Sequence, residues 1–122
     1  MRKFLLALLV ISIIDLGQSA RASALKPPSG NDVYPGCKAR AEQNTHSLRL
    51  TIDGSFCAGL IHGLLYAGNS FGGQERFCVP RDVGTTQLAR VVFRFLEEHP
   101  ERMHEEFGHL GLEALQQAWP CQ

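Results

Sequence analysis

Apolar residues recur along this chain at the spacing of one face of an α-helix, in three separate segments. The first face is formed by Cys57, Leu60, Ile61, Leu64 and Leu65. The second face is formed by Leu88, Val91, Val92, Phe95 and Leu96. The third face is formed by Met103, Phe107, Leu110, Ala114 and Ala118. No strand-like alternation of comparable length occurs in the sequence, which therefore predicts an all-α helical bundle.

Capping residues and prolines set the expected ends of these three helices. Asp53 or Ser55 is a suitable N-cap for the first helix. The second helix is expected to begin after Gly84 and Thr85 and to stop before Pro100. The third is expected to begin at Pro100, since proline suits the first turn of a helix, and to end at Pro120.

The remaining segments are shorter or less regular. Residues 31–40 are expected to form a short leading helix, whereas residues 44–53 and 69–81 are predicted loops rich in polar residues, glycine or proline. Gly59 and Gly63 lie four positions apart on the first long helix, where missing side chains would let a neighbouring helix approach closely. The predicted fold is a small, disulfide-cross-linked bundle of about four helices.

The N-terminal residues have the features of a secretory signal peptide. Arg2 and Lys3 form a short basic start, and the almost continuous apolar run that follows covers residues 4–14. Small residues allow cleavage after Ala22 or after Ala24. The apolar run is about 11 residues long, against the roughly 20 that a transmembrane helix needs, so no membrane anchor is expected after cleavage. The sequence therefore predicts export, and the periplasm is the expected destination.

Removal of a signal peptide over residues 1–24 leaves a single domain over residues 25–122 and changes its charge. The full chain has 12 basic and 12 acidic residues. Three of the basic residues and one acidic residue lie in the signal peptide, so nine basic and eleven acidic residues remain, a net charge of −2. Binding to nucleic acid or to an anionic membrane usually needs a concentrated basic face, so neither partner is expected.

Four cysteines are spread over the predicted mature domain, and none of them forms a close CxxC pair. An even number of cysteines in an exported chain indicates disulfides. In an up-and-down bundle the end of the short first helix lies beside the start of the next, which favours the pair Cys37–Cys57. The start of the following helix lies beside the end of the last, which favours Cys78–Cys121. We expect these two bonds among three possible connectivities.

Metal binding and catalysis are both disfavoured by the sequence. The cysteines lack the paired close spacing of structural zinc sites, and His104 and His109 are five positions apart, one too many for the HExxH metalloprotease motif. With all four cysteines paired there is no thiolate nucleophile, and no serine lies in a nucleophile-elbow context. We therefore predict a protein that is not an enzyme and that has no cofactor and no metal.

Several short segments of the mature domain, in order and spacing, resemble the Rap/Tai family of small periplasmic immunity proteins. The resemblance begins with SGND at residues 29–32, ahead of Cys37. It continues with CAGLIHG at 57–63, FCVP at 77–80, QL at 87–88, FLEEHP at 95–100 and ALQQAWPC at 114–121. One position differs, because Leu60 stands where the family commonly has a tyrosine.

The resemblance implies a helical, disulfide-containing protein that binds a peptidoglycan amidase effector delivered between bacteria by type VI secretion. The amidase of such systems is a cysteine hydrolase, and the immunity protein blocks its active site, often as a homodimer. The segment expected to contact the effector is the loop after the first long helix, with Phe71 as an apolar anchor and Arg76 as a charged contact. The candidate contact residues are Asn69, Ser70, Phe71, Gln74, Glu75 and Arg76.

Other interpretations remain open from the sequence. Phe71 could instead pack beneath its own loop, and residues 44–53 are a second candidate surface. Trp119 is expected to pack beside the Cys78–Cys121 bond. A periplasmic acid-stress chaperone is a rival function, because small disulfide-bonded helical bundles can also bind unfolded proteins and five histidines permit a response to pH. A structural envelope protein without a toxin partner is a third.

Overall fold

The computed structural model describes residues 25–71, 73 and 76–122, and it describes Phe71 by its backbone alone. The predicted signal peptide, residues 1–24, lies outside the described residues. In this described part of the chain four α-helices follow one another: α1 (Gly30–Ala41), α2 (Leu48–Phe71), α3 (Thr85–Glu98) and α4 (Phe107–Ala118). Within the described residues there is no β-strand, and the single β-type pairing that is recorded joins Ser29 to Glu106. The predicted all-α bundle is confirmed.

Helix α1 is fixed at its start by a capping box. The Ser29 hydroxyl accepts a hydrogen bond from the Asp32 backbone N–H, while an Asp32 carboxylate oxygen accepts one from the Ser29 backbone N–H at 2.8 Å. The Ser29 hydroxyl also donates to the Asp32 carboxylate at 2.7 Å. This side-chain hydrogen bond, and after it the one from the Ser29 backbone, lower the pKa of Asp32 from its usual range. The observed helix matches the short leading helix that the sequence predicts.

Helix α2 begins earlier than the sequence indicated, so the predicted loop over residues 44–53 is wrong from Leu48 onward. The Ser47 hydroxyl accepts a hydrogen bond from the Leu50 N–H at 3.2 Å, and the Ser47 carbonyl accepts one from the Thr51 N–H at 3.0 Å. Ser47 therefore starts the helix, and the proposed N-cap Asp53 lies inside it, paired with Arg49 at 2.9 Å. Ser55, the other proposed N-cap, is also helical.

Helix α3 begins at Thr85, within one residue of the predicted start, and ends before Pro100 as expected. The helix expected to run continuously from Pro100 is interrupted. Pro100–Arg102 form a 3-10 turn, and α4 begins only at Phe107. The backbone here bonds to the first turn of α1 and to the residues before it instead of continuing the helix: the Met103 carbonyl accepts the Asn31 N–H at 2.8 Å, and the Phe107 N–H donates to the Pro28 carbonyl at 2.8 Å. Tertiary hydrogen bonds thus replace one turn of the expected helix.

The core lies where α1 contacts α2 and α3 and where α4 contacts α3. It takes its largest fully buried side chains from every helix, including Val33, Ile61, Leu96, Phe107 and Leu115. Helices α1 and α2 approach so closely at Gly36 that a Cβ at this position would overlap the Asp53 carbonyl carbon and oxygen. The two helices are therefore held in one relative position on the side that carries the first disulfide.

Candidate interaction site

Two disulfide bonds cross-link the bundle. Cys37 of α1 is joined to Cys57 of α2, with Cα atoms 5.2 Å apart, and both residues are fully buried. Cys78 is joined to Cys121, with Cα atoms 5.0 Å apart, and both residues are exposed. These are the pairs that the up-and-down topology favours. All four cysteines are cross-linked, so none is a free thiol.

The second disulfide holds the end of the chain against the segment that follows α2. The Cys78 N–H donates to the Trp119 carbonyl at 2.8 Å, beside the disulfide bond. Trp119 itself is partly buried and packs against the core. The neighbouring Phe77 is buried, and its ring lies directly on Gly68 of α2. The chain between Gly68 and Cys78 is therefore anchored at both of its ends.

The sequence-predicted contact residues lie partly on this anchored segment and partly outside the described residues. Asn69 and Ser70 are exposed on the last turn of α2, so they are helical and do not form a loop as expected. Arg76 is exposed, and its N–H donates to the Gly73 carbonyl at 3.4 Å. Gly73 has a φ of 80°, a left-handed conformation that favours glycine. The Phe71 side chain and all of Gln74 and Glu75 are outside the described residues.

Helix α2 carries an uncovered apolar face that the sequence analysis missed. Leu48, Ile52, Phe56 and Tyr66 are exposed by 77%, 56%, 52% and 72%, respectively. Gly59 and Gly63 lie between Phe56 and Tyr66 along the same face. Positions 48, 52, 56, 59, 63 and 66 follow one another at steps of three or four residues, which keeps them on one side of a helix. We call this face, formed by Leu48, Ile52, Phe56, Gly59, Gly63 and Tyr66, the α2 stripe.

The interpretation of Gly59 and Gly63 as a close contact within the bundle is wrong. Both glycines are exposed, and a Cβ built on either would meet no atom of the described residues within 4 Å beyond its own stretch of helix. Instead they leave a shallow gap between the side chains of Phe56 and Tyr66. The i, i+4 spacing of Leu48, Ile52 and Phe56 was the signal that could have revealed both the early start of α2 and its second apolar face.

The apolar character of α2 is unusual for a helix at the surface. By length and composition Leu48–Ser70 could cross a membrane. Only 17% of its most apolar 18-residue stretch is buried by the rest of the protein. A core helix can pass the same test. The side of α2 opposite the stripe carries Cys57 and Ile61, both fully buried. Helix α2 is thus apolar on two sides, of which the core of the bundle covers one.

Electrostatic contacts fix the turn before α4. The Arg102 guanidinium donates two hydrogen bonds to the Glu105 carboxylate, both at 2.8 Å, and forms an ion pair with Glu113 of α4 at 2.9 Å. Hydrogen bonding to Arg102 lowers the pKa of Glu105.

The two histidines whose spacing differs by one residue from the zinc-binding HExxH motif, His104 and His109, are exposed. In the described part of the chain, no group of three or more histidine, cysteine or acidic residues is placed to hold a metal ion.

A rigid helical scaffold with one uncovered apolar helix is typical of a small protein that acts by binding another protein. The model of one family, Rap1a immunity proteins, matches residues 29–121, which is most of the chain. The protein belongs to the family of Rap1a immunity proteins. No match was found among curated proteins, and none among solved structures.

Family membership gives the protein a general role. It supports an immunity function in type VI secretion, exerted on a partner effector protein. Proteins of this family are generally not enzymes and are typically periplasmic. The two disulfides fit an oxidising compartment.

Proposed function

We propose that the protein inhibits a peptidoglycan amidase effector of type VI secretion by occluding the amidase active site. The observation that carries this proposal is the family match over residues 29–121, together with a disulfide-cross-linked scaffold. The exported protein acts in the periplasm, where such an amidase reaches its substrate. Inhibition requires contact only, so the immunity protein needs neither a nucleophile nor a cofactor.

The segment from Asn69 to Arg76 is the proposed contact with the amidase. Its first residues form the last turn of α2, it is anchored beyond its far end by Phe77 and Cys78, and its described residues Asn69, Ser70 and Arg76 are exposed. A segment anchored at both ends loses less conformational entropy on binding than a free loop does. Arginine and aromatic side chains are common binding hot spots, so we assign the charged contact to Arg76 and the apolar one to Phe71.

The same proposal includes a homodimer formed through the α2 stripe. The stripe runs for about 27 Å along the helix axis and carries no charged residue. The part of the stripe from Phe56 to Tyr66 is symmetric about residue 61: Gly59 and Gly63 lie two positions to either side, and Phe56 and Tyr66 lie five positions to either side. In an antiparallel pair of α2 helices, each Phe56 would therefore face the Tyr66 of the other copy while the glycines meet at the centre.

A binding and activity assay tests the inhibitory function. The exported protein is mixed at increasing molar ratio with candidate type VI amidases, and cleavage of peptidoglycan peptides is followed. We expect one amidase to be inhibited fully near equimolar ratio, and the complex to survive gel filtration. Full amidase activity in the presence of excess protein, for every amidase encoded beside it, would contradict the proposal. Protection of many unrelated proteins, seen only at low pH, would favour the chaperone instead.

A further inference from the structure

A pocket of about 180 Å³ lies where the end of α1 meets the start of α2, away from the segment at residues 69–76. Its volume is far larger than the roughly 15 Å³ of cavity that one water molecule needs. The lining includes Arg40, Asn44, Thr45, Thr51 and Ser55. Among the described residues that line the pocket, Arg40 is the only charged one and none contributes a carboxylate.

Arg40 lacks the partners that a partly buried arginine normally has. Its Nε is buried and has no hydrogen-bond partner, and among the described residues no carboxylate lies within ion-pair distance of its guanidinium. The two acidic residues near it on these helices are already engaged, Glu42 by Lys38 and Asp53 by Arg49, each at 2.9 Å. A guanidinium in a pocket lining that has no carboxylate partner keeps its charge available to a ligand, and a carboxylate is the anion that best matches its planar donors.

The polar groups around Arg40 favour a carboxylate that belongs to a peptide. Asn44 uses its side-chain oxygen to accept the His46 N–H at 3.2 Å, which leaves its amide N–H groups as donors. The Ser55 and Thr51 hydroxyls donate to backbone carbonyls of α2 and its start, at 2.8 and 3.1 Å, so their oxygens can only accept. Donors and acceptors within one pocket suit a ligand that presents a carboxylate beside an N–H, as a peptide does.

The pocket is also held in a fixed shape. The Cys37–Cys57 disulfide and the close approach of Gly36 to Asp53 join the two helices that form its walls. Gln43 has a φ of 55°, a conformation uncommon for a residue with a side chain, and it reverses the chain so that Asn44 follows directly over the end of α1. A preformed pocket requires little reorganisation when a ligand enters it.

We propose that this pocket binds the carboxylate of a peptide, with Arg40 as the anion-binding residue, Asn44 as a second donor, and Thr51 and Ser55 as acceptors for the peptide N–H. The site is separate from the contact proposed for the amidase, so its test uses peptides alone and its failure leaves the inhibitory function untouched. Two sources offer this chemistry, a peptide C-terminus and an acidic side chain within a peptide.

Titration of the ¹⁵N-labelled exported protein with short peptides tests the site. The probes are acetyl-Ala-Ala with a free carboxylate, the same peptide as its C-terminal amide, and acetyl-Ala-Asp amide. We expect at least one carboxylate peptide to shift the resonances of Thr45, Thr51 and Ser55 and to bind at least about tenfold more tightly than the amide. The tighter of the two carboxylate peptides identifies the source, and either result supports the site.

Substitutions separate this role of Arg40 from a structural one. Arg40→Gln should weaken peptide binding at least about tenfold, and Arg40→Lys should restore it only in part, because lysine keeps the charge but loses the planar pair of donors. Arg94→Gln, at an exposed arginine of α3, is the matched control and should bind as the unchanged protein does. The melting temperature of the Arg40→Gln protein should stay the same or rise, since an unpaired buried N–H is removed.

Three results would overturn the proposal. The first is equal binding of the carboxylate peptides and the amide, and the second is no shift of any pocket resonance at millimolar peptide. The third is binding of inorganic phosphate as tight as that of the peptides, which would make the pocket a general anion site. If the Arg40→Gln protein does not fold, Ser55→Phe, which fills the pocket from α2, replaces it and should abolish peptide binding.

Discussion

The ring of Phe77 lies against the backbone of Gly68, so close that a Cβ on Gly68 would be 2.6 Å from the ring carbon Cε1. Phe77 immediately precedes Cys78, which is joined to Cys121 near the end of the chain. One contact therefore connects the end of α2, the segment proposed to bind the amidase, and the C-terminal disulfide. The absence of a side chain at residue 68 is what brings these parts together.

Substitution of Gly68 by alanine is expected to destabilise the protein by about 1–3 kcal/mol, because the added methyl group would displace the buried Phe77 ring. Urea unfolding followed by circular dichroism measures the change. Gly108→Ala is the control, since a Cβ there meets no atom within 4 Å and alanine favours a helix; its free energy of unfolding should stay equal or rise by up to about 1 kcal/mol. Equal stabilities of the two variants would contradict the packing argument.

Helical periodicity made much of the fold predictable from the sequence. Helix α3 combines one clean apolar face with a proline after its end, and its predicted bounds agree with the structure. Helix α2 was harder to delimit because its first turns carry apolar residues on a face that the core does not cover, Leu48 and Ile52 among them. The turn at residues 103–106 was not predictable, because its backbone hydrogen bonds are made with residues 28–31, far away in the sequence.

The candidate site was less predictable than the fold, for a physical reason. Composition identified arginine and aromatic residues near Cys78 as contact candidates, but it could not show that Asn69 and Ser70 belong to a helix. The exposed stripe on α2 was hidden because an apolar position looks the same in a sequence whether it faces the core or the solvent. The unpaired Nε of Arg40 depends on the positions of carboxylates in space, which a single sequence does not contain.

The two disulfides are expected to differ in their resistance to reductant. Cys37 and Cys57 are fully buried, whereas Cys78 and Cys121 are exposed, so Cys78–Cys121 should be reduced first as dithiothreitol increases. Alkylation followed by mass spectrometry identifies the cysteines released at each step. Earlier labelling of Cys37 or Cys57 would contradict this order.

Loss of either disulfide should also lower stability. Chain entropy predicts about 3 kcal/mol for removal of the 20-residue link and about 4 kcal/mol for the 43-residue link. The variants are the double replacements Cys37→Ala with Cys57→Ala and Cys78→Ala with Cys121→Ala. Unfolding in urea compares each of them with the unchanged protein, and a loss below about 1 kcal/mol in both would show that the links add little to the fold.

Acid should weaken the start of α1 through Asp32. The pKa of Asp32 is lowered in the folded protein by hydrogen bonds from Ser29, so the ionised carboxylate favours folding. This contribution is fully present above the ordinary value of 3.8 and is lost as the pH falls through the lower pKa of the folded state. Asp32→Asn should therefore reduce stability at pH 6 and change it much less at pH 2. Glu101→Gln, at an exposed residue, is the control and should change stability little at either pH.

Arg76 should matter for inhibition and not for stability. It is exposed, and it is the charged residue described at the end of the proposed contact segment. Arg76→Ala should weaken the complex with the cognate amidase by about 2 kcal/mol, or roughly 30-fold, as removal of an interface hot spot does. Arg94→Ala, on α3, should leave inhibition unchanged. Calorimetry of both complexes measures the effect, and equal affinities would place the contact elsewhere.

Because Phe56 and Tyr66 are symmetric about residue 61, substitutions at these two positions test both whether the homodimer exists and whether its two helices have the proposed antiparallel register. Light scattering should show a dimer for the exported protein and a monomer for Phe56→Glu, because a carboxylate would be buried opposite Tyr66 of the other copy. The double variant Phe56→Glu with Tyr66→Lys should recover the dimer in part, since antiparallel helices centred on residue 61 place opposite charges face to face at both ends. Gln87→Glu, at an exposed position of α3, should remain a dimer. A dimer that persists in Phe56→Glu would locate the interface away from this helix, and a double variant that stays monomeric would rule out the antiparallel register.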